Sequence, residues 1–230
     1  MEVWTTIIPH LVEDYSVHTI AVPGHSSDSD VSDPTSAMES LFASYDNLDL
    51  ERPLVVGHSL GTALAVLLMS QKEVSGLVIL DQCLNSTDVV DTAKTLENAA
   101  KTSVQTALSE LFQTFGSDRV IAQGVRGLGL PHLTLQTLNS LWSGGGEGIW
   151  PMLHALLATS DKPILSLEWS EFGDAYDAWC SETVPRMTRE RMPDSDHHWF
   201  FVDQPKETAD RIRLFDNNMS SSRNAGRRAN

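Results

Sequence analysis

Pro53-Leu54-Val55-Val56-Gly57-His58-Ser59-Leu60-Gly61-Thr62-Ala63-Leu64-Ala65-Val66-Leu67-Leu68-Met69 is the stretch on which the reading of this chain turns. Its first four residues form an apolar run that predicts a buried strand. The apolar residues after Gly61 predict a helix, and the glycines between predict a sharp turn. A serine at the apex of such a turn projects its hydroxyl from a strand end. It also stands at a helix N-terminus, where unpaired N–H groups favour negative charge. Both glycines are expected to be required, because a side chain at either place would crowd the turn. The bare Gly-x-Ser-x-Gly pattern is weak; the strand before it and the helix after it make it specific.

A serine hydroxyl is a poor nucleophile until a base takes its proton, and histidine suits that task because its pKa lies near working pH. The chain offers Asp196-His197-His198-Trp199-Phe200-Phe201-Val202-Asp203-Gln204-Pro205. This segment follows a strand predicted over 187–192 and precedes a helix predicted over 206–214. Elsewhere, 3–12 has apolar residues at helical spacing and 17–22 predicts a short buried strand ended by Pro23-Gly24. Residues 36–45 predict an amphipathic helix with Met38, Leu41 and Phe42 inward. Strands alternating with helices predict an α/β fold, with a mostly parallel sheet flanked by helices on both faces.

On these residues the chain resembles the α/β-hydrolase fold superfamily, of the serine hydrolase or esterase type, from Trp4 to about Leu214. Pro23-Gly24-His25-Ser26-Ser27-Asp28-Ser29-Asp30 is similar to that family's Pro-Gly-His-Gly-x-Ser loop. Leu77-Val78-Ile79-Leu80-Asp81 resembles the strand after the nucleophile helix. Lys162-Pro163-Ile164-Leu165-Ser166-Leu167 resembles the strand leading to the catalytic acid. His198-Trp199 followed by Gln204-Pro205 matches the family's histidine stretch, and the spacing favours His198 over His197 as the base. The resemblance implies Ser59 as nucleophile, His198 as base and the Leu60 N–H as an oxyanion donor.

The acid that orients the histidine is harder to place. The family's Gly-x-x-Asp is not kept in Leu167-Glu168-Trp169-Ser170-Glu171-Phe172-Gly173-Asp174. Glu171 lies closest to the family offset and is the first choice. Asp174 comes next and alternatively caps a helix over 175–180. Asp81 ends an earlier strand, a position some members use, and Glu168 falls in the strand end.

The organisation expected is a hydrolase core over 1–82 and 160–215, a helical lid over 83–159 and a disordered tail over 216–230. Within the lid, 92–115, 118–125, 133–142 and 149–158 read as helices. Its glycine-rich 143–148 lacks the lysine of a phosphate loop. The resemblance also implies strands and a His-Gly loop ahead of Trp4. The chain begins after them, so one oxyanion donor and the cover of a sheet edge are expected to be absent. A second copy of the chain is one way to cover that edge.

With 230 residues, 41% of them hydrophobic, the chain is long enough for one domain with a substantial core. A net charge of −15 disfavours nucleic acid and anionic membranes as partners. No apolar run approaches the roughly 20 residues of a membrane helix, and the start is unlike a signal peptide, so a cytoplasmic location is expected. Cys83 and Cys180 supply neither a disulfide framework nor a metal spacing, and Cys83 reads as a buried thiol. The function expected is hydrolysis of a small-molecule acyl compound, an ester first, through Ser59, His198 and Glu171, with no metal or organic cofactor. The alternative is a catalytically impaired binding or interaction protein on the same fold, argued from the absent oxyanion segment.

Overall fold

The computed structural model describes residues 2–21, 34–85, 150–195 and 197–228. Among them four strands form one parallel sheet in the order β1 (Leu54–His58), β2 (Gly76–Leu80), β3 (Ile164–Glu168) and β4 (Met187–Arg191). The helices are α1 (Pro34–Asp46), α2 (Leu60–Gln71), α3 (Trp150–Thr159), α4 (Asp174–Thr183), the short α5 (Phe200–Asp203) and α6 (Pro205–Arg228). This is the α/β architecture expected from the sequence.

β2 and β3 are buried along their whole length. Successive side chains of a strand point to opposite faces, and β2 divides accordingly. Leu77 and Ile79 pack with Val66, Leu153, Leu157 and Tyr176 on the side of α2, α3 and α4. Val78 and Leu80 pack with Ile7, Phe200, Phe201 and Ile212 on the other side. α2 is buried from Thr62 to Met69, as a helix apolar on every side must be. β4, with the sequence Met-Thr-Arg-Glu-Arg, is only partly buried, and its charged residues suit an edge strand.

Several local expectations change in three dimensions. The helical spacing over 3–12 appears as two 3-10 turns, Glu2–Thr5 and Ile8–His10. Pro9 has no N–H to give to an α-helical ladder. The apolar residues still go inward, with Ile7 and Leu11 buried and Trp4 stacked on Phe201 at 5.0 Å. Residues 17–21 form no strand. A strand needs a hydrogen-bonding neighbour, and among the described residues β1 pairs only with β2. The tail expected to be disordered from 216 is helical to Arg228 as part of α6. Its first turns continue the inward face of Ile212 and Phe215 to Met219, whose sulfur fills the space beside Gly76.

The helix expected over 149–158 is α3. The other helices expected in a lid, the glycine-rich 143–148 and the loop Pro23 to Asp30 lie outside the described residues.

Candidate active site

β1 ends at His58 and α2 begins at Leu60, so Ser59 alone makes the turn between them. It does so at φ 51 and ψ −127, a conformation that side-chain-bearing residues rarely adopt. Holding a residue there costs about 1–3 kcal/mol, and neighbouring contacts must enforce it. The Ser59 N–H donates to the Leu80 carbonyl of β2 at 3.2 Å, and the Thr62 N–H donates to the Ser59 carbonyl at 2.8 Å. The Thr62 hydroxyl donates to the Gly57 carbonyl at 3.3 Å. The Ser59 hydroxyl makes no capping bond to α2.

The two glycines of the turn are not equivalent. A Cβ at Gly57 would lie 2.8 Å from the Thr62 Cα, 2.9 Å from the Gly61 oxygen and 3.0 Å from the Ala65 Cβ, so only glycine fits. A Cβ at Gly61 would meet nothing within 4 Å among the described residues. Crowding therefore accounts for Gly57 and not for Gly61, contrary to the expectation that both are required.

The register pairs His58 with Leu80, so Ser59 and Asp81 follow adjacent strand ends. Asp81 also turns off its strand at positive φ, with its N–H donating to the Leu167 carbonyl at 2.9 Å. Its carboxylate is buried. One oxygen accepts the Trp169 N–H at 3.1 Å and the other lies 2.5 Å from Nδ1 of His198. His198 comes from the turn between β4 and α5, 117 residues further along the chain. Burial strips both groups of water. It raises the Asp81 carboxyl to about 7 against the pull of the Trp169 N–H, and it holds the His198 imidazole well below its ordinary value. With Asp81 ionised, the neutral ring carries its proton on Nδ1, donates that N–H to the carboxylate and keeps Nε2 basic; a further proton taken up by the pair protonates it and removes that base.

His197 makes a separate pair. Its Nδ1 accepts the Trp199 N–H at 3.1 Å, so Nε2 carries the proton and lies 2.6 Å from Asp203. His58 packs on the other side of His198, with ring centroids 4.4 Å apart. Its Nε2 lies 3.1 Å from the His198 main-chain oxygen.

A family model described as the Alpha/beta hydrolase family matches residues 1–211. The chain belongs to the alpha/beta hydrolase family. Solved structures of similar fold agree. MenH from S. aureus is 16% identical over 95% of this chain and 90% of its own, with a TM-score of 0.69. A hydrolase from Oleispira antarctica is 13% identical over 94% and 86%, with a TM-score of 0.68. A haloalkane dehalogenase loop variant from Bradyrhizobium elkanii is 18% identical over 98% and 88%, with a TM-score of 0.67. At these identities the likeness is one of fold. No curated protein matches the sequence.

In this alpha/beta hydrolase the carboxylate beside His198 is Asp81, and the first choice from sequence, Glu171, stands elsewhere. Glu171 is 83% exposed and accepts from Arg191 at 2.8 Å. Asp174 opens α4 on the surface, where Gly173 occupies the cap position. Glu168 ends β3, buried, with both oxygens held by Arg189 at 2.7 Å and one also by the Ser166 hydroxyl at 3.0 Å. Glu168 and Glu171, near the end of β3, pair with arginines of β4, while Asp81 meets His198.

The Leu60 main-chain N–H stands at the first position of α2, directly after Ser59, and the first N–H groups of a helix have no intrahelical acceptor. Cys83 is half-buried, its thiol 3.7 Å from the Asn85 carbonyl, while Cys180 is buried. Among the described residues no cluster of His, Cys, Asp or Glu is placed to hold a metal ion. No helix among them is long and apolar enough to cross a membrane. Sequence reasoning passed over His58. Its only signal was a ring beside the serine, at a position the motif leaves open.

Proposed function

We propose that this chain is a serine hydrolase that cleaves a carboxylic ester, or a related small acyl compound, through an acyl-enzyme. The observation that carries the reading is the strained Ser59 turn beside the buried His198–Asp81 pair at 2.5 Å. The arrangement supports the following cycle. Ser59 Oγ attacks the carbonyl carbon while His198 Nε2 takes the hydroxyl proton. Asp81 holds Nδ1–H, fixes the tautomer and stabilises the imidazolium as it forms. The developing oxyanion is met by the Leu60 N–H and the positive end of α2. The tetrahedral intermediate collapses, its C–O bond to the leaving group breaks, and His198 returns the proton to the departing alcohol. Water then attacks the acyl-serine with His198 again as base, and the carboxylic acid leaves. The neutral resting state of His198 serves this cycle, because only the neutral ring can accept the first proton.

The test is labelling by a fluorophosphonate probe, followed by a panel of acyl esters, on the wild type and on Ser59→Ala, His198→Ala and Asp81→Asn. Labelling of the wild type that is lost in Ser59→Ala and reduced in the other two supports the reading. A folded wild type that never labels overturns it in favour of a binding protein on the same fold.

A further inference from the structure

His58 is the last residue of β1 and the residue before Ser59. Its ring lies in a cage of aromatic groups from the far end of the chain. Ring centroids are 4.4 Å from His198, 4.9 Å from Phe201 in an edge contact, and 5.9 Å from Trp199. Burial, reinforced by the neighbouring His198, holds its imidazole well below the ordinary histidine value, so the ring is neutral and carries one N–H. The group facing Nε2 at 3.1 Å is a carbonyl oxygen, which only accepts. The proton is therefore on Nε2, and His58 donates to the main chain of His198.

This bond joins two segments 140 residues apart. One side is the strand whose end is Ser59, and the other is the turn that carries His198. That turn leads into the four-residue α5, with α6 following after Gln204. On one flank it is held by the His197–Asp203 pair, and on the other by His58. We propose that His58 is a positioning residue: its Nε2–H and its ring face set where the His198 imidazole stands relative to Ser59 and Asp81. The bond tethers the His198 backbone, and the ring contact limits the rotation of its side chain. A base displaced by about 1 Å can lose about a hundredfold in rate. The kinetic consequence rests on the serine hydrolase reading; the geometric one does not.

Three substitutions separate the two contributions. His58→Phe keeps an aromatic face and loses the donor. His58→Gln keeps a donor where Nε2 stands and loses the ring. His58→Ala loses both. Two readouts apply to each, with thermal melting to establish folding. The first is the low-field proton resonance of His198 Nδ1–H against Asp81, assigned by its loss in His198→Ala. The second is the rate of fluorophosphonate labelling at Ser59. The resonance is expected in the wild type, lost or broadened in His58→Phe and His58→Ala, and regained in His58→Gln. Labelling is expected to slow roughly tenfold to a hundredfold in His58→Phe and to recover much of its rate in His58→Gln. A folded His58→Phe that keeps both the resonance and the labelling rate overturns the proposal. So does a His58→Gln no better than His58→Ala, or a wild type without the resonance. A resonance that depends on His58 in a protein whose Ser59 never labels would leave His58 as a positioning residue and remove the hydrolase reading alone.

Discussion

β2 and β3 lie side by side, are buried throughout, and lead at their carboxyl ends to buried carboxylates, Asp81 and Glu168. By burial and place in the sheet the two acids are alike, with exposures of 3% and 5%. Their partners differ. Glu168 is clamped by Arg189, a cation that keeps its proton at any ordinary pH and is held further in that form by Glu168 and Asp177. Arg189 therefore does not act as an acceptor or donor of a transferred proton. Asp81 faces an imidazole that can gain and lose one. The backbone differs as well: Glu168 is still within its strand, whereas Asp81 has turned off its strand at positive φ and reaches across to the histidine turn. Burial of an acid at a strand end does not make a catalytic candidate; the titration of its partner does.

The sharpest way to break this comparison is to neutralise each acid without changing its shape. Asp81→Asn should lower kcat on an ester substrate about 10³- to 10⁴-fold, with the fold retained by circular dichroism. Glu168→Gln should leave the labelling rate of Ser59 within a few-fold of wild type and lower stability instead. Removing one partner of a buried pair is costly, but Arg189 is partly exposed, which reduces the loss to about 1–3 kcal/mol; urea unfolding measures it. If the two variants exchanged phenotypes, the acid at His198 would be misassigned.

The pH profile sharpens the comparison further. His198 must keep Nε2 free to act, and the pair takes up its first proton as the Asp81 carboxyl, raised by burial to about 7, titrates, so the acidic limb of kcat/KM should follow that carboxyl near 7 and not the lowered His198 imidazole. For stability the pair nearly cancels. Unfolded, between about pH 4 and 6.5, the histidine carries the single proton and the aspartate carries none. Folded, with the Asp81 carboxyl raised and the His198 imidazole lowered, the pair again holds one. The proton count hardly changes on folding, so this pair should add almost no pH dependence to unfolding across that window. A steep change there that vanishes in Asp81→Asn would contradict this proton count.

The smallest effect is expected at Glu171. Its pair with Arg191 is well exposed on both sides, and such pairs contribute little. Glu171→Ala should leave both the labelling rate and the melting temperature at wild-type values, and a collapse of labelling would restore it as the acid.

The parts of this site legible in the sequence are those set by neighbouring residues. Gly57 is readable because the chain doubles back on itself at Thr62 and Ala65, and a strand, a serine and a helix then follow in order. The apolar runs of β2 and β3 are readable because both faces of those strands are covered. His198 is readable from the aromatic and Gln-Pro residues around it. The acid was not, because Asp81, Glu168, Glu171 and Asp174 all follow or end strands at plausible distances and local pattern cannot rank them.

The sequence by itself determined the parallel α/β framework, the turn at Ser59 and the histidine segment, since each depends on backbone conformation and apolar periodicity over a few residues. Tertiary structure alone decided which carboxylate meets His198 and which ring supports it. Those choices depend on the arginines of β4 pairing with Glu168 and Glu171, and on the ends of β1 and β2 bringing the His58 ring and the Asp81 carboxylate to the His198 imidazole. Contacts between residues 117 and 140 positions apart are set by sheet order and register, and no local pattern encodes them.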